Sequence, residues 1–186
     1  MIVIGITGSI GSGKSTVSKL ISRGKYPIFS ADKIVSDLYK KSQFISLINK
    51  KFNLNSKKKI KEQVKLIIKA DFKKIKELEA IIHPLVRKKM KDFLKKRRRF
   101  LILEIPLLIE NKLNKYFDKV IYVETKKKLR LKRYLKHNPN KKMFETLNKR
   151  QLPTFIKKKF CDQVINNNYS LAILKKNVKK FIENYE

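Results

Sequence analysis

The chain has 186 residues, with 48 Lys or Arg against 15 Asp or Glu and a formal net charge of +33. That length suits one domain, or one domain with an insert, and 42% apolar residues argue against a disordered polyelectrolyte. Cys161 is the single cysteine, so no internal disulfide framework exists. No apolar run approaches the roughly 20 residues of a membrane helix, and the N-terminal apolar segment runs straight into glycines and a lysine, unlike a signal peptide; a cytoplasmic protein with no membrane partner is expected.

Ile2 to Thr7 is a short apolar run and reads as a buried opening strand. The glycine-rich segment Gly8 to Gly13 leads into Lys14 to Ile21, where Val17, Leu20 and Ile21 have helical spacing and Gly24 offers a stop. Tyr26 to Ser30 reads as a second strand, with Pro27 at its first residue or on an edge. Asp32 to Lys41 is helical, with Ile34, Val35 and Leu38 on one face.

From Ser42 to Arg99 the apolar period is helical throughout: Phe44, Leu47 and Ile48; then Ile60, Val64, Ile67 and Ile68; then Ile75, Leu78, Ile81 and Ile82. Pro84 can open a further helix at its first turn. Phe100 to Ile105 is dense enough for a central strand, and Asp118 to Glu124 forms another. Lys126 to Lys136 is a basic helix, a polar turn follows at His137 to Asn140, and Phe144 to Phe160 is a second basic helical piece broken by Pro153. Gln163 to Ile165 is a short strand, and Ser170 to Tyr185 closes the chain as an amphipathic helix. Strands alternating with helices predict an α/β fold with a parallel, doubly wound sheet. The expected division is a core of residues 1–41 and 100–186, with a helical subdomain at 42–99.

The run Gly8-Ser9-Ile10-Gly11-Ser12-Gly13-Lys14-Ser15 matches G-x-x-x-x-G-K-S/T, the phosphate-binding P-loop, and Thr16 follows it. Glycines are required because successive N–H groups must turn inwards and approach phosphate with no Cβ in the way. The helix starting near Lys14 directs its N-terminal dipole at the same anion. Lys14 reaches the β- and γ-phosphates, and the Ser15 hydroxyl is the expected Mg²⁺ ligand. Gly8, Gly11, Ser12, Gly13, Lys14, Ser15 and Thr16 are thus expected to hold a nucleoside triphosphate. A preceding strand and a following helix separate this from a chance Gly/Ser turn.

A GTPase would carry Asn-Lys-x-Asp; Asn114-Lys115-Tyr116-Phe117-Asp118 misses that spacing by one residue and precedes a strand instead of following one. Motor and transporter ATPases need far more chain. A small kinase needs a core, an acceptor-binding insert and a lid that excludes water, and the segments supply all three. A carboxylate just beyond the second strand is placed to take a proton from an acceptor hydroxyl. Asp32 occupies that position, where a helix-capping Asp is equally common.

Taken together these residues resemble the dephospho-CoA kinases over essentially the whole chain. The resemblance rests on Thr7 to Thr16, Ala31-Asp32-Lys33-Ile34, His83-Pro84-Leu85-Val86, Pro106-Leu107-Leu108-Ile109-Glu110, and Asp162-Gln163-Val164-Ile165-Asn166-Asn167. It implies a P-loop kinase core, a helical acceptor domain and a mobile helical lid at about 138–160. The implied reaction is ATP-dependent phosphorylation of the ribose 3′-hydroxyl of dephospho-CoA, giving CoA and ADP. Asp32 takes the family's catalytic-base position and Arg133 a lid-arginine position, over the γ-phosphate where charge moves. Asp32, His83, Glu110 and Lys61 are expected to contact the acceptor, and Ser15 and Glu104 to hold Mg²⁺. On the residues alone, His83 before Pro84 reads first as a helix boundary, and Glu104 also reads as an ordinary strand-end carboxylate.

The chain departs from the family at four places. Ser30 replaces the first Asp of D-A-D, His137 stands where a second lid arginine is usual, Lys61 replaces Arg, and Cys161 replaces Ala. Arg150 or one of Lys157 to Lys159 could supply the missing cation.

The charge alone points to nucleic acid, through a pI near 10.3. The basic residues are 40 Lys and only 8 Arg, however, dispersed through nearly every segment as a coding bias would leave them. Phosphate and base recognition favours the planar Arg fork. The expected partners are ATP and dephospho-CoA, with no specific nucleic acid; a monomer is expected, and an oligomer is compatible. Another small P-loop kinase and a nucleic-acid-stimulated ATPase are the competing readings.

Overall fold

The computed structural model describes residues 1–54, 59–71 and 73–185. Among these, five strands form one all-parallel sheet: β1 (Ile2–Thr7), β2 (Ile28–Ser30), β3 (Phe100–Glu104), β4 (Lys119–Glu124) and β5 (Gln163–Asn166), in the order β2-β3-β1-β4-β5. A parallel strand covered on both faces needs an unbroken apolar run, and all of β3 is buried accordingly. The predicted second strand is shorter than expected. Pro27 lies outside the ladder, lacking an N–H to donate, and its carbonyl accepts from Ile102 (3.3 Å).

The chain divides into two compact units, Met1–Ser30 with Lys96–Glu186, and Ala31–Lys95. In the first, one sheet face carries Ile4, Ile6, Ile102, Ile121, Val123 and Ile165. These pack against Val17 and Ile21 of α1 (Lys14–Ser22) and Leu174, Val178, Phe181 and Ile182 of α9 (Leu171–Glu183). On β1, a Cβ at Gly5 would lie 2.8 Å from Leu108 and 2.9 Å from the Phe117 ring, so the missing side chain admits the segment that follows β3. Helix α1 ends on Arg23, which adopts the left-handed conformation one residue before Gly24. The remaining α-helices described in this unit are α6 (Lys127–Leu135), α7 (Lys141–Lys149) and α8 (Thr154–Lys159), and Pro153 separates the last two as predicted. Asn140 caps α7 by accepting the Met143 N–H (2.8 Å), and Ser170 caps α9.

The second unit contains α2 (Ala31–Leu38), α3 (Ser42–Phe52), α4 (Ile60–Ala70) and α5 (Lys74–Leu94), closed around Leu38, Phe44, Ile48, Ile60, Val64, Leu78 and Ile82. Leu47, expected on the buried stripe, is instead 48% exposed. Pro84 does not open a new helix but lies inside α5. It can donate no bond to the Ala80 carbonyl, and the helix continues because Leu78 and Ile82 before it and Leu85 and Val86 after it pack on the same core. Tertiary burial outweighs the local break. No helix among the described residues is long and apolar enough to cross a membrane.

Candidate active site

β1 and β3 lie side by side, with Ile6 opposite Glu104, and the chain leaves them towards opposite edges of the sheet. Open α/β sheets bind ligands at such a divergence, beyond the carboxyl ends of the strands. The loop Gly8 to Gly13 fills this place. Lys14, only 8% exposed, turns its ammonium back over the loop and donates to the carbonyls of Gly8 (3.2 Å) and Ser9 (3.4 Å). The Ser15 hydroxyl donates to Glu104 Oε1 at 2.7 Å. Two hard oxygens, one from the first turn of α1 and one from the end of β3, suit a Mg²⁺ ion, which is commonly held by one or two side-chain oxygens plus substrate phosphates and water. The donor set therefore fits the metal expected at Ser15 and Glu104.

Helix α6 brings two arginines to this loop. Arg133 donates to the carbonyls of Ser12 (3.4 Å) and Asn167 (3.1 Å). Arg130, one turn earlier, is buried and donates to Thr125 O (3.1 Å), Asn148 Oδ1 (2.7 Å) and Ile10 O (3.3 Å). Burial holds its guanidinium below the usual arginine range. A Cβ at Gly11 would sit 2.5 Å from the Arg130 carbonyl, so this glycine admits α6, and its φ of 74° suits glycine besides.

Segment 148–154 also reaches the loop. Gln151 Oε1 accepts the Ile10 N–H (3.0 Å), and Tyr122 bridges the hydroxyls of Ser9 (3.1 Å) and Thr154 (3.2 Å).

The remaining expected site residues are placed differently. Glu110 turns to the segment expected as lid: its Oε1 pairs with the fully buried Lys157 (2.6 Å) and accepts the Leu152 N–H (3.1 Å). Its Oε2 is buried with no hydrogen-bond partner among the described residues. Lys158 pairs with Glu124, so Lys157 and Lys158 are both engaged. His137 is exposed, in the turn before α7. In the helical unit, Asp32 is exposed on the first turn of α2, Lys61 lies 5.9 Å from the Tyr39 ring centre on α4, and His83 sits mid-way along α5.

The structure thus gathers Gly8 to Thr16, Glu104 and Arg133 in the core unit, and places Asp32, Lys61 and His83 on helices of the other. Sequence reasoning missed Arg130, Thr125, Gln151 and the role of Asn167. One signal was available, since an Arg kept among 40 Lys marks a site needing a planar fork.

A family model described as dephospho-CoA kinase matches residues 2–172. A dephospho-CoA kinase of Bartonella quintana is 35% identical over 191 residues, covering 99% of this chain and 98% of its own length. Among solved structures, a Thermus thermophilus protein superposes with a TM-score of 0.80 at 26% identity, covering 100% of this chain and 98% of its own. The dephospho-CoA kinase from Campylobacter jejuni does so with a TM-score of 0.66 at 26% identity, covering 99% and 97%.

Proposed function

The chain belongs to the dephospho-CoA kinase family, which phosphorylates the 3′-hydroxyl of dephospho-CoA with ATP in the last step of CoA biosynthesis, and on that premise we propose which of its residues perform the transfer. Gly8 to Thr16 cradle the ATP phosphates with their backbone amides and the Lys14 ammonium. Ser15 and Glu104 would hold Mg²⁺, which would neutralise negative charge on the ATP phosphates. Asp32 accepts the proton of the 3′-hydroxyl as that oxygen bonds to the γ-phosphorus and the bridging oxygen leaves with ADP. Arg133 sets a permanent positive charge against the negative charge that shifts during transfer. Lys61 and His83 contact the acceptor. Glu110 serves it indirectly, by anchoring the segment 152–157 through Lys157. The enzyme works as a monomer in the cytoplasm, with ATP and dephospho-CoA as its ligands.

The observation that carries this reading is the Ser15–Glu104 contact of 2.7 Å, two metal-ligand types at the mouth of a phosphate loop over which the Lys14 ammonium turns back. Steady-state kinetics of Lys14→Ala and Asp32→Asn test it. Each variant is expected to fold and to lose nearly all turnover; Asp32→Asn with wild-type turnover would remove the base assignment.

A further inference from the structure

We propose that Asn167 is a positioning residue that fixes the Ser12–Gly13 peptide of the phosphate loop and seats Arg133 beside it. Asn167 follows the last residue of β5 and is 6% exposed. Its main-chain N–H donates to the Glu124 carbonyl (2.8 Å), which holds it to the end of β4. Its side-chain Nδ2 donates to the Ser12 carbonyl (2.8 Å), and its own carbonyl accepts from Arg133 Nη2 (3.1 Å) and the Thr125 hydroxyl (3.4 Å).

The Ser12 carbonyl is the meeting point of this cluster. It also accepts from the Thr125 hydroxyl (2.9 Å) and from Arg133 Nη1 (3.4 Å). No peptide bond among the described residues is cis, so the Gly13 N–H points away from the Ser12 C=O across a rigid amide plane. Donors gathered on that carbonyl therefore aim the Gly13 N–H at the other side of the loop, where the cradle reading places the ATP phosphates. An amide held in this way costs no reorganisation when phosphate arrives.

Gly13 is matched to the same neighbour. Its φ is 90°, and a Cβ there would lie 2.3 Å from Asn167 Nδ2, so the glycine gives the amide room as well as the turn. Arg133 spends one N–H on each of two carbonyls, which leaves further donors of its planar fork for a phosphate. Asn167 thereby couples two elements that act on one ligand, the loop amide and the lid arginine.

This inference rests on the reading of Gly8 to Thr16 as the ATP cradle. Calorimetric binding of ADP and Mg·ATP, with steady-state kinetics, tests it on Asn167→Ala, Asn167→Ser and Asn167→Asp. Loss of one buried hydrogen bond should weaken ATP and ADP binding about tenfold in Asn167→Ala, with the KM for dephospho-CoA within about twofold of wild type. Asn167→Ser, which keeps a hydroxyl donor, should fall between wild type and Ala. Asn167→Asp should be worse than Ala, because it sets a carboxylate against the Ser12 carbonyl. Adding Arg133→Ala to Asn167→Ala should cost less than the product of the two single losses. Unchanged nucleotide affinity in the folded variants, even with a lower melting temperature, overturns the role of Asn167. Wild-type protein that bound no ATP would instead overturn the cradle reading beneath it.

Discussion

The Ser15 hydroxyl donates to Glu104 Oε1 at 2.7 Å, tying the first turn of α1 to the last residue of β3. Glu104 is opposite Ile6 on one neighbouring strand and Ser30 on the other, so the sheet register fixes where this carboxylate stands. Replacing Glu104 with Gln should raise the free Mg²⁺ needed for half-maximal rate and lower activity by about 10–100-fold. Ser15→Ala should do the same, and Ser15→Thr, which keeps the hydroxyl, should restore most of it. A Mg²⁺ titration at saturating ATP checks this; a curve superimposing on wild type for Glu104→Gln would contradict it.

Arg133 reaches two carbonyls beside the phosphate loop with different nitrogens of one fork. Arg133→Ala should lower kcat by about 100-fold or more, while dephospho-CoA binding stays near wild type. Lysine carries the charge but not the fork, so Arg133→Lys should recover only a small part. Single-turnover rates at saturating substrates separate the chemical step from binding. A change confined to dephospho-CoA affinity would argue against the assignment.

The Lys157–Glu110 pair is a stability feature as well as an anchor. Lys157 is fully buried and the Glu110 side chain is 14% exposed, with 2.6 Å between the charges. Lys157→Met leaves an uncompensated buried carboxylate and should cost about 3–5 kcal/mol. Glu110→Gln on the same background should recover much of that, since the amide oxygen can still accept the Leu152 N–H (3.1 Å in the wild type). Urea unfolding of the single and double variants measures both effects.

Cys161 should be a poor nucleophile. Burial, reinforced by the neighbouring Asp162, pushes its thiol up to about 11. At pH 8 it should alkylate on the order of 100-fold more slowly in the folded protein than in urea. The unfolded thiol titrates near 8.5, so the native state holds the extra proton between that pH and about 11. This contribution to stability is intact below the window and is lost as the pH rises through it. Cys161→Ala should remove that part of the alkaline dependence of the melting temperature.

Much of this arrangement was legible in the residues, for identifiable reasons. A phosphate loop is local: Gly8 to Ser15 carry both the turn and the ligands within one strand-loop-helix unit, so spacing alone locates them. Parallel strands buried on both faces also announce themselves, as Phe100 to Glu104 do. Pro84 misled because a local rule predicts a helix start, whereas packing across Ile82, Leu85 and Val86 carries the helix past it. Long-range polar pairs were hidden. Nothing at Glu110 signals Lys157 forty-seven positions later, and nothing at Ser12 signals an asparagine 155 residues away. Such pairs exist only once the sheet order is known.

The +33 charge takes on a narrower meaning in this setting. Both substrates of the reaction are polyanions, so a basic surface steers them towards the loop, and kcat/KM for ATP should fall as ionic strength rises. Stimulation of ATP hydrolysis by DNA or RNA is not expected.

The most direct test of the account is ADP release, followed by a coupled assay, with dephospho-CoA present and absent and with a panel of nucleosides and nucleoside monophosphates as alternative acceptors. ADP release should depend on dephospho-CoA, match formation of its 3′-phosphorylated product one for one, and vanish in Lys14→Ala. Equal release without dephospho-CoA, or faster release with another acceptor, would contradict it.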